Sequence, residues 1–226
     1  MARATLDQLF HCAPGSSSRQ LALVMLPGAE MHAEDFLTQG FVSAIRERDI
    51  SIDVIMVEAS ISDYMQQDFG TRLGNDVVAP LLAEGYQQIW LMGISLGAQG
   101  AIRFLGEHAG MIEKLVLIAP FLATRGAIAE VMDAGGLDGW LPAPGKIDAE
   151  EHELLIWLKE NLGSDDSTPE VYVGYGTEDR YADSGRLLAG RLSQERVWCA
   201  SGGHDWPTWR TLWHDMLDNF QVSFGK

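Results

Sequence analysis

Short apolar runs alternate along this chain with stretches in which apolar residues recur at helical spacing. Leu21-Ala-Leu-Val-Met-Leu26 is a continuous apolar run ended by Pro27-Gly28, the pattern of a central strand buried on both faces. Phe36, Leu37, Phe41, Ala44 and Ile45 then follow at helical intervals and predict a helix over 33–48. The unit repeats, with a strand from Ile52 to Val57, a helix over 76–85 that carries Pro80 in its first turn, and a strand from Gln88 to Met92. The polar stretch 58–71 between them reads as a loop at the carboxyl edge of the sheet.

Further along, Lys114 to Ala119 predicts a strand stopped by Pro120. From Phe121 to Ile147 glycines and prolines dominate and periodicity is weak apart from Ile128 to Met132, which marks a candidate cap or lid with apolar Leu137, Trp140 and Leu141. Asp148, with Glu151 three residues on, reads as a helix start, and Leu154, Leu155, Trp157, Leu158 and Leu162 give that helix an apolar face. Strands at 170–175 and 196–200, a helix over 182–192, and a last helix from Asp205 or Thr208 to Phe220 complete the alternation. Ahead of the first long strand, Thr5 to Phe10 predicts a short helix and 14–19 a polar turn. Strands alternating with helices predict an α/β fold: one domain over 1–226, its mostly parallel sheet covered by helices on both faces, with the cap inserted at 121–147.

One stretch organises the rest. In Leu91-Met92-Gly93-Ile94-Ser95-Leu96-Gly97-Ala98-Gln99-Gly100 a buried strand gives way to a helix, and Ser95 falls on the turn between them. That is the context of a G-x-S-x-G elbow, in which Gly93 and Gly97 leave room for a sharp turn that lifts the serine hydroxyl. The helix that follows aims free N–H groups at the same point, so the Leu96 N–H is a candidate donor to an oxyanion.

Charge and cysteine content narrow the partners. Sixteen basic against thirty-two acidic residues give a formal charge of -16, which repels polyanions. Nucleic acid is therefore not an expected partner, and a strongly anionic substrate, coenzyme A thioesters included, would need a local basic pocket that the sequence does not reveal. Cys12 and Cys199 have neither metal-ligand spacing nor a framework of partners and read as reduced thiols. Residues 1–15 lack a sustained apolar core and no run approaches a membrane span, which predicts a soluble, cytoplasmic protein.

Serine is a weak nucleophile at neutral pH, so Ser95 needs a base, and the base an orienting acid. Gly176-Thr-Glu-Asp179 puts a carboxylate in the loop after one strand, and Ser201-Gly-Gly-His204-Asp-Trp-Pro-Thr-Trp209-Arg puts a histidine after the last. Reacting groups gather at the carboxyl ends of parallel strands, so the three loops can meet. Glu178 and Asp183 compete for the acid's role. His32, in the loop after the first long strand, is the main rival base among His11, His32, His108, His152 and His214; His108 and His152 sit on helices and read as surface residues. Ser95 itself competes with the plain reading of a helix-capping serine. Trp206, Trp209 and Trp213 at helical spacing read first as packing, with Trp206, Trp140 and Met31 as candidate substrate contacts.

The order Ser95, Asp179, His204, with the G-I-S-L-G, G-T-E-D and G-G-H-D-W-P-T-W-R segments, resembles the serine esterase and thioesterase branch of the α/β hydrolases over nearly the whole chain. The histidine loop is similar to that of an esterase group including S-formylglutathione hydrolases and mycolyltransferases. The resemblance implies Ser95 as nucleophile, His204 as general base and then acid, and Asp179 as the group fixing the imidazole tautomer. It implies a second oxyanion donor after the first long strand. There many of these enzymes read His-Gly-x and this chain reads Pro27-Gly28-Ala29, which gives the role to Ala29, with Glu30 and Met31 as neighbours able to replace it. The activity implied is hydrolysis of a small-molecule carboxylic ester or thioester with no metal or organic cofactor. Acyl transfer on the same three residues, and a catalytically silent binding scaffold, are the alternatives; oligomeric state is not readable.

Overall fold

The computed structural model describes residues 5–14, 20–108, 110–142, 150–163 and 169–224. Residues 15–19 of the expected polar turn, 143–147 of the candidate cap and the expected helix start at Asp148 lie outside the described residues. The chain runs β1 (Gln8–His11), β2 (Leu21–Leu26), α1 (Asp35–Thr38), α2 (Phe41–Arg46), β3 (Asp53–Val57), α3 (Ile61–Tyr64), α4 (Phe69–Leu73), a π turn (Gly74–Val78), α5 (Ala79–Ala83), β4 (Gln88–Ile94) and α6 (Leu96–Glu107). It continues through β5 (Lys114–Ile118), α7 (Arg125–Asp133), α8 (Glu150–Asn161), β6 (Glu170–Gly176), α9 (Ala182–Ala189), β7 (Val197–Ala200) and α10 (Trp206–Phe224).

The strands form one seven-stranded sheet in the order β1-β3-β2-β4-β5-β6-β7. All neighbours run parallel except β1, which pairs antiparallel with β3. Val24, Leu91, Leu115 and Val171 share one row of the register across β2, β4, β5 and β6. Successive strand residues face opposite ways, so each apolar run feeds two cores. Ala22, Val24 and Leu26 pack with residues of α3 to α9, while Leu21, Leu23 and Met25 pack with α1, α2 and α10. Burying each such leucine or methionine contributes about 1.5–3 kcal/mol, which is why the strands are apolar on both faces.

Four expectations are corrected. The helix expected over 5–10 is instead the edge strand β1, held by its ladder to β3 and by the Ala13 N–H donating to Asp53 Oδ1 at 2.6 Å; pairing with a distant strand outweighs local preference. The helix expected over 33–48 is broken at Gly40, whose φ of +85° turns the chain between α1 and α2. The loop expected at 58–71 contains α3 and the start of α4, because Tyr64 and Phe69 are buried against α6 and Ser60 and Asp63 cap α3 reciprocally. The helical run that follows therefore begins at Phe69 rather than Asp76, and Pro80 follows the π turn.

The candidate cap is corrected in part. Leu137 and Trp140 are buried in the core on the α6 face, 2% and 1% exposed, so they do not form an apolar lid surface. The Trp140 indole donates to Glu130 and stacks on His152, whereas Leu141 is 81% exposed.

Candidate active site

Ser95 sits between β4 and α6 with φ +53° and ψ -114°, a backbone state that costs a non-glycine residue about 1–3 kcal/mol. The surroundings impose it. Its N–H donates to the Ile118 carbonyl at 3.0 Å, and its own carbonyl accepts from Ala98 and Phe121, both at 3.1 Å. A Cβ on Gly93 would meet Gly97 backbone at 2.4 Å, and one on Gly97 would meet the Leu26 carbonyl oxygen at 2.4 Å. The two glycines of the elbow are thus demanded by backbone packed on backbone.

His204 and Asp179 come from loops beyond the far strands, tied together by the Thr177 N–H donating to Ala200 O at 2.8 Å and the Glu178 N–H to Gly202 O at 3.0 Å. Gly202 adopts φ +131° and passes so close to Thr208 that a Cβ would lie 2.2 Å from its hydroxyl. Asp205 starts α10 by accepting from the Thr208 N–H and hydroxyl at 3.1 and 2.7 Å. These bonds favour its ionised form and hold its carboxyl below the usual range.

The structure brings the three side chains together. His204 Nε2 is 2.9 Å from Ser95 Oγ, and His204 Nδ1 is 2.8 Å from Asp179 Oδ2. Asp179 is acceptor-only when ionised, so Nδ1 carries the proton and Nε2 is left to accept from the serine. Asp179 Oδ1 accepts the Tyr181 N–H at 2.7 Å. The imidazole packs edge-on against Tyr181 and Trp209, with ring centroids 5.0 and 5.1 Å away, and the Asp179 carboxylate is 1% exposed.

The rival residues lie elsewhere. His32 pairs with Glu58 at 2.8 Å on the surface, where that hydrogen bond and its charge raise the imidazole's pKa. Asp183 pairs with Arg186, and Glu178 accepts from the Ser201 hydroxyl. His11 and His214 contact Arg46 and Arg48, His108 packs at a tilt against Phe104, and His152 stacks on Trp140.

Leu96 opens α6, where an N–H has no intrahelical acceptor. Ala29 lies in a tight turn in which the Met31 N–H donates to Gly28 O at 3.3 Å and Glu30 takes φ +60°. A Cβ on Gly28 would lie 3.3 Å from Ser95 Cβ, so this turn abuts the serine. Neither the Leu96 nor the Ala29 N–H has an acceptor among the described residues. The Tyr64 hydroxyl supports the turn from below by donating to Pro27 O at 2.7 Å, and burial raises its pKa well above the usual phenol value.

A cavity of about 440 Å³ opens over Ser95 and His204. Gly28, Ala29, Met31 and Leu96 line it, and the tryptophan in its wall is Trp209 rather than Trp206 or Trp140. Trp206 instead packs edge-on against Phe41 and Trp209, and Trp140 lies in the core beside α8. Sequence reasoning missed Ile61, Met65, Phe121, Arg180 and Tyr181 in the lining. The Ser60-x-x-Asp63 capping box was the available signal for the first two, since it starts the helix that carries them to the cavity. Among the described residues no group of three or more His, Cys, Asp or Glu is placed to hold a metal ion, and no helix is long and apolar enough to cross a membrane.

No protein-family model and no curated protein sequence matches the chain. Solved structures do. An S-formylglutathione hydrolase from Staphylococcus aureus superposes with a TM-score of 0.65 at 15% identity, covering 96% of both chains. A ferulic acid esterase gives 0.63 at 13%, covering 96% of this chain and 98% of the other. A monoacylglycerol lipase from Paleococcus ferrophilus gives 0.57 at 16%, covering 97% and 99%. At these identities the likeness is one of fold, and the fold is that of the α/β hydrolases.

Proposed function

We propose that the protein is a serine hydrolase that cleaves a small carboxylic ester or thioester through an acyl-enzyme. The observation that carries this is the unbroken chain of hydrogen bonds from Ser95 Oγ through His204 to Asp179, with Ser95 and His204 lining the cavity. In this reading His204 Nε2 takes the Ser95 proton as Oγ attacks the acyl carbonyl. The tetrahedral oxyanion lies on the N–H groups of Leu96 and Ala29, where one donor is worth about 3–4 kcal/mol to the transition state. Asp179 holds the proton-bearing Nδ1 and stabilises the imidazolium. His204 then gives its proton to the leaving oxygen or sulfur, and the acyl group stays on Ser95. Water, deprotonated by His204, attacks the acyl-serine, and collapse of that second intermediate returns the proton to Oγ and frees the carboxylic acid.

Met31 and Leu96 form apolar wall beside Ser95, which suits a hydrocarbon acyl portion. Cys12 and Cys199 are exposed free thiols, which suits a reducing compartment, and the proposal places the enzyme in the cytoplasm. The mechanism is tested by intact mass after exposure to a fluorophosphonate. The wild type is expected to gain one adduct and Ser95→Ala none, with ester turnover lost in the variant; a folded wild type that takes no adduct, or an active variant, would sink the mechanism.

A further inference from the structure

The walls of the cavity differ from one side of the sheet to the other. On the β2 and β3 side stand Met31, Ile61 and Met65, with Glu30 the one carboxylate in the lining, 3 residues beyond Pro27. On the β6 side, two strands beyond β4 in the opposite direction, stands Arg180. A second, smaller cavity shares Arg180 and Tyr181 with the first and adds Arg125. Both guanidinium groups lie over the same Tyr181 ring, 4.9 and 5.8 Å from its centroid, and Tyr181 in turn packs against His204.

Two features make this pair unusual in a chain with a formal charge of -16. First, the contacts of Arg125 and Arg180 among the described residues are with that ring and with no carboxylate. Asp183, which also lines the smaller cavity, is paired with Arg186 at 2.6 Å, Asp179 is bonded to His204, and Glu178 accepts from the Ser201 hydroxyl. Second, Arg125 is the first residue of the nine-residue helix α7, where the positive end of the helix dipole disfavours a cation. Two guanidinium groups over one ring, one of them at a helix N-terminus, are like charges that an anion placed beside both would relieve.

We infer that the β6 side of the cavity is an anion subsite, and that the substrate is an ester with an apolar portion against Met31, Ile61 and Met65 and a carboxylate or phosphate at Arg180 and Arg125. The ester bond rests on the serine hydrolase reading; the anion subsite rests on the two arginines. The local cationic wall offsets the overall negative charge within about one Debye length, roughly 8 Å at physiological salt, so the substrate class that net charge disfavours is admitted at this point.

Binding is measured first, without turnover, on Ser95→Ala protein by titrating benzoate, phenyl phosphate and benzamide against tryptophan fluorescence at low salt. At least one of the two anions is expected to bind about tenfold more tightly than benzamide, and the stronger of them identifies the group. That advantage is expected to fall to about twofold or less when Arg125→Gln and Arg180→Gln are added, both exposed positions whose loss leaves the circular dichroism unchanged, and to shrink in high salt. Equal affinity for all three probes, or a preference that survives loss of both guanidinium groups, overturns the subsite. Turnover is measured second with two matched pairs, the hemiglutarate against the hexanoate of 4-nitrophenol, and the 4-carboxyphenyl against the 4-carbamoylphenyl ester of butyric acid. The anionic member of one pair is expected to lead in kcat/KM by about fivefold or more, with the ratio collapsing in the double arginine variant. Anion binding with no such lead in either pair overturns the substrate assignment. Esters turned over with no anion preference in binding mean that the subsite fails and the hydrolase stands; arginine-dependent binding with no ester turned over and no fluorophosphonate adduct means the reverse.

Discussion

His204 and His32 each hold Nδ1 2.8 Å from a carboxylate oxygen, and by that distance alone the two loops look alike. Their surroundings separate them. The His204 and Asp179 side chains keep 11% and 1% of their exposure, whereas His32 and Glu58 keep 75% and 41%. His204 also has a third partner in Ser95 Oγ and an aromatic ring against it from Tyr181 and another from Trp209. Water screens the His32 pair and leaves it free to part. A histidine beside a carboxylate is thus common geometry; burial and a serine hydroxyl on the other nitrogen are what set His204 apart.

The sharpest test of that contrast is activity. Asp179→Asn is expected to lower kcat for a reporter ester about 10⁴-fold by reversing the tautomer, and His204→Ala at least as much. His32→Ala and Glu58→Gln are expected to change it by no more than about twofold. Comparable losses at both pairs would mean that the surface pair also serves the reaction. A second test is structural. Gly97→Ala forces a Cβ to within 2.4 Å of the Leu26 carbonyl, so it is expected to cost at least about 2 kcal/mol and lower the melting temperature by about 4–8 °C. An unchanged melting temperature would show that the contact between elbow and turn is not tight.

The smallest effect lies in the titration of His32. Glu58 raises its pKa, first through their hydrogen bond and then through charge. A raised imidazole pKa adds stability that is fully present below the ordinary value of 6.5 and is lost as pH rises through the folded value. Histidine resonances followed by NMR should give His32 a midpoint above 6.5 that moves down in Glu58→Gln. A midpoint unmoved by that substitution would remove Glu58 as the cause.

Much of this was legible in the chain. The runs at 21–26 and 88–92 name central strands because both faces of a parallel sheet are covered. Acid and histidine loops after later strands fall near Ser95 because parallel strands deliver their carboxyl ends to one edge. What stayed hidden depended on partners distant in sequence. β1 is a strand because β3 is beside it, and Gln8, Leu9 and Phe10 remain exposed, so burial left no imprint on its pattern. Trp206 and Trp209 are three residues apart on one helix, and which of them meets the cavity depends on how α10 is rotated against the sheet. Arg125 and Arg180 come together only once α7 and the loop after β6 share Tyr181.

The ties among the loops divide the site in two. The elbow, the Gly28 turn and Tyr64 form one block, with Gly97 seated under Leu26 and Pro27. The acid and histidine loops form another, laced by the bonds from Thr177 to Ala200 and from Glu178 to Gly202. Between them run the 2.9 Å contact of His204 with Ser95 and the edge-on packing of Tyr181 on Phe121, whose N–H is bonded to the Ser95 carbonyl. Mechanically the first of these contacts is a seam where the two blocks meet, and in the proposed reaction it is also where the proton would pass. A bound molecule that touches both banks, Met31 on one and Arg180 on the other, would act as a rivet across it.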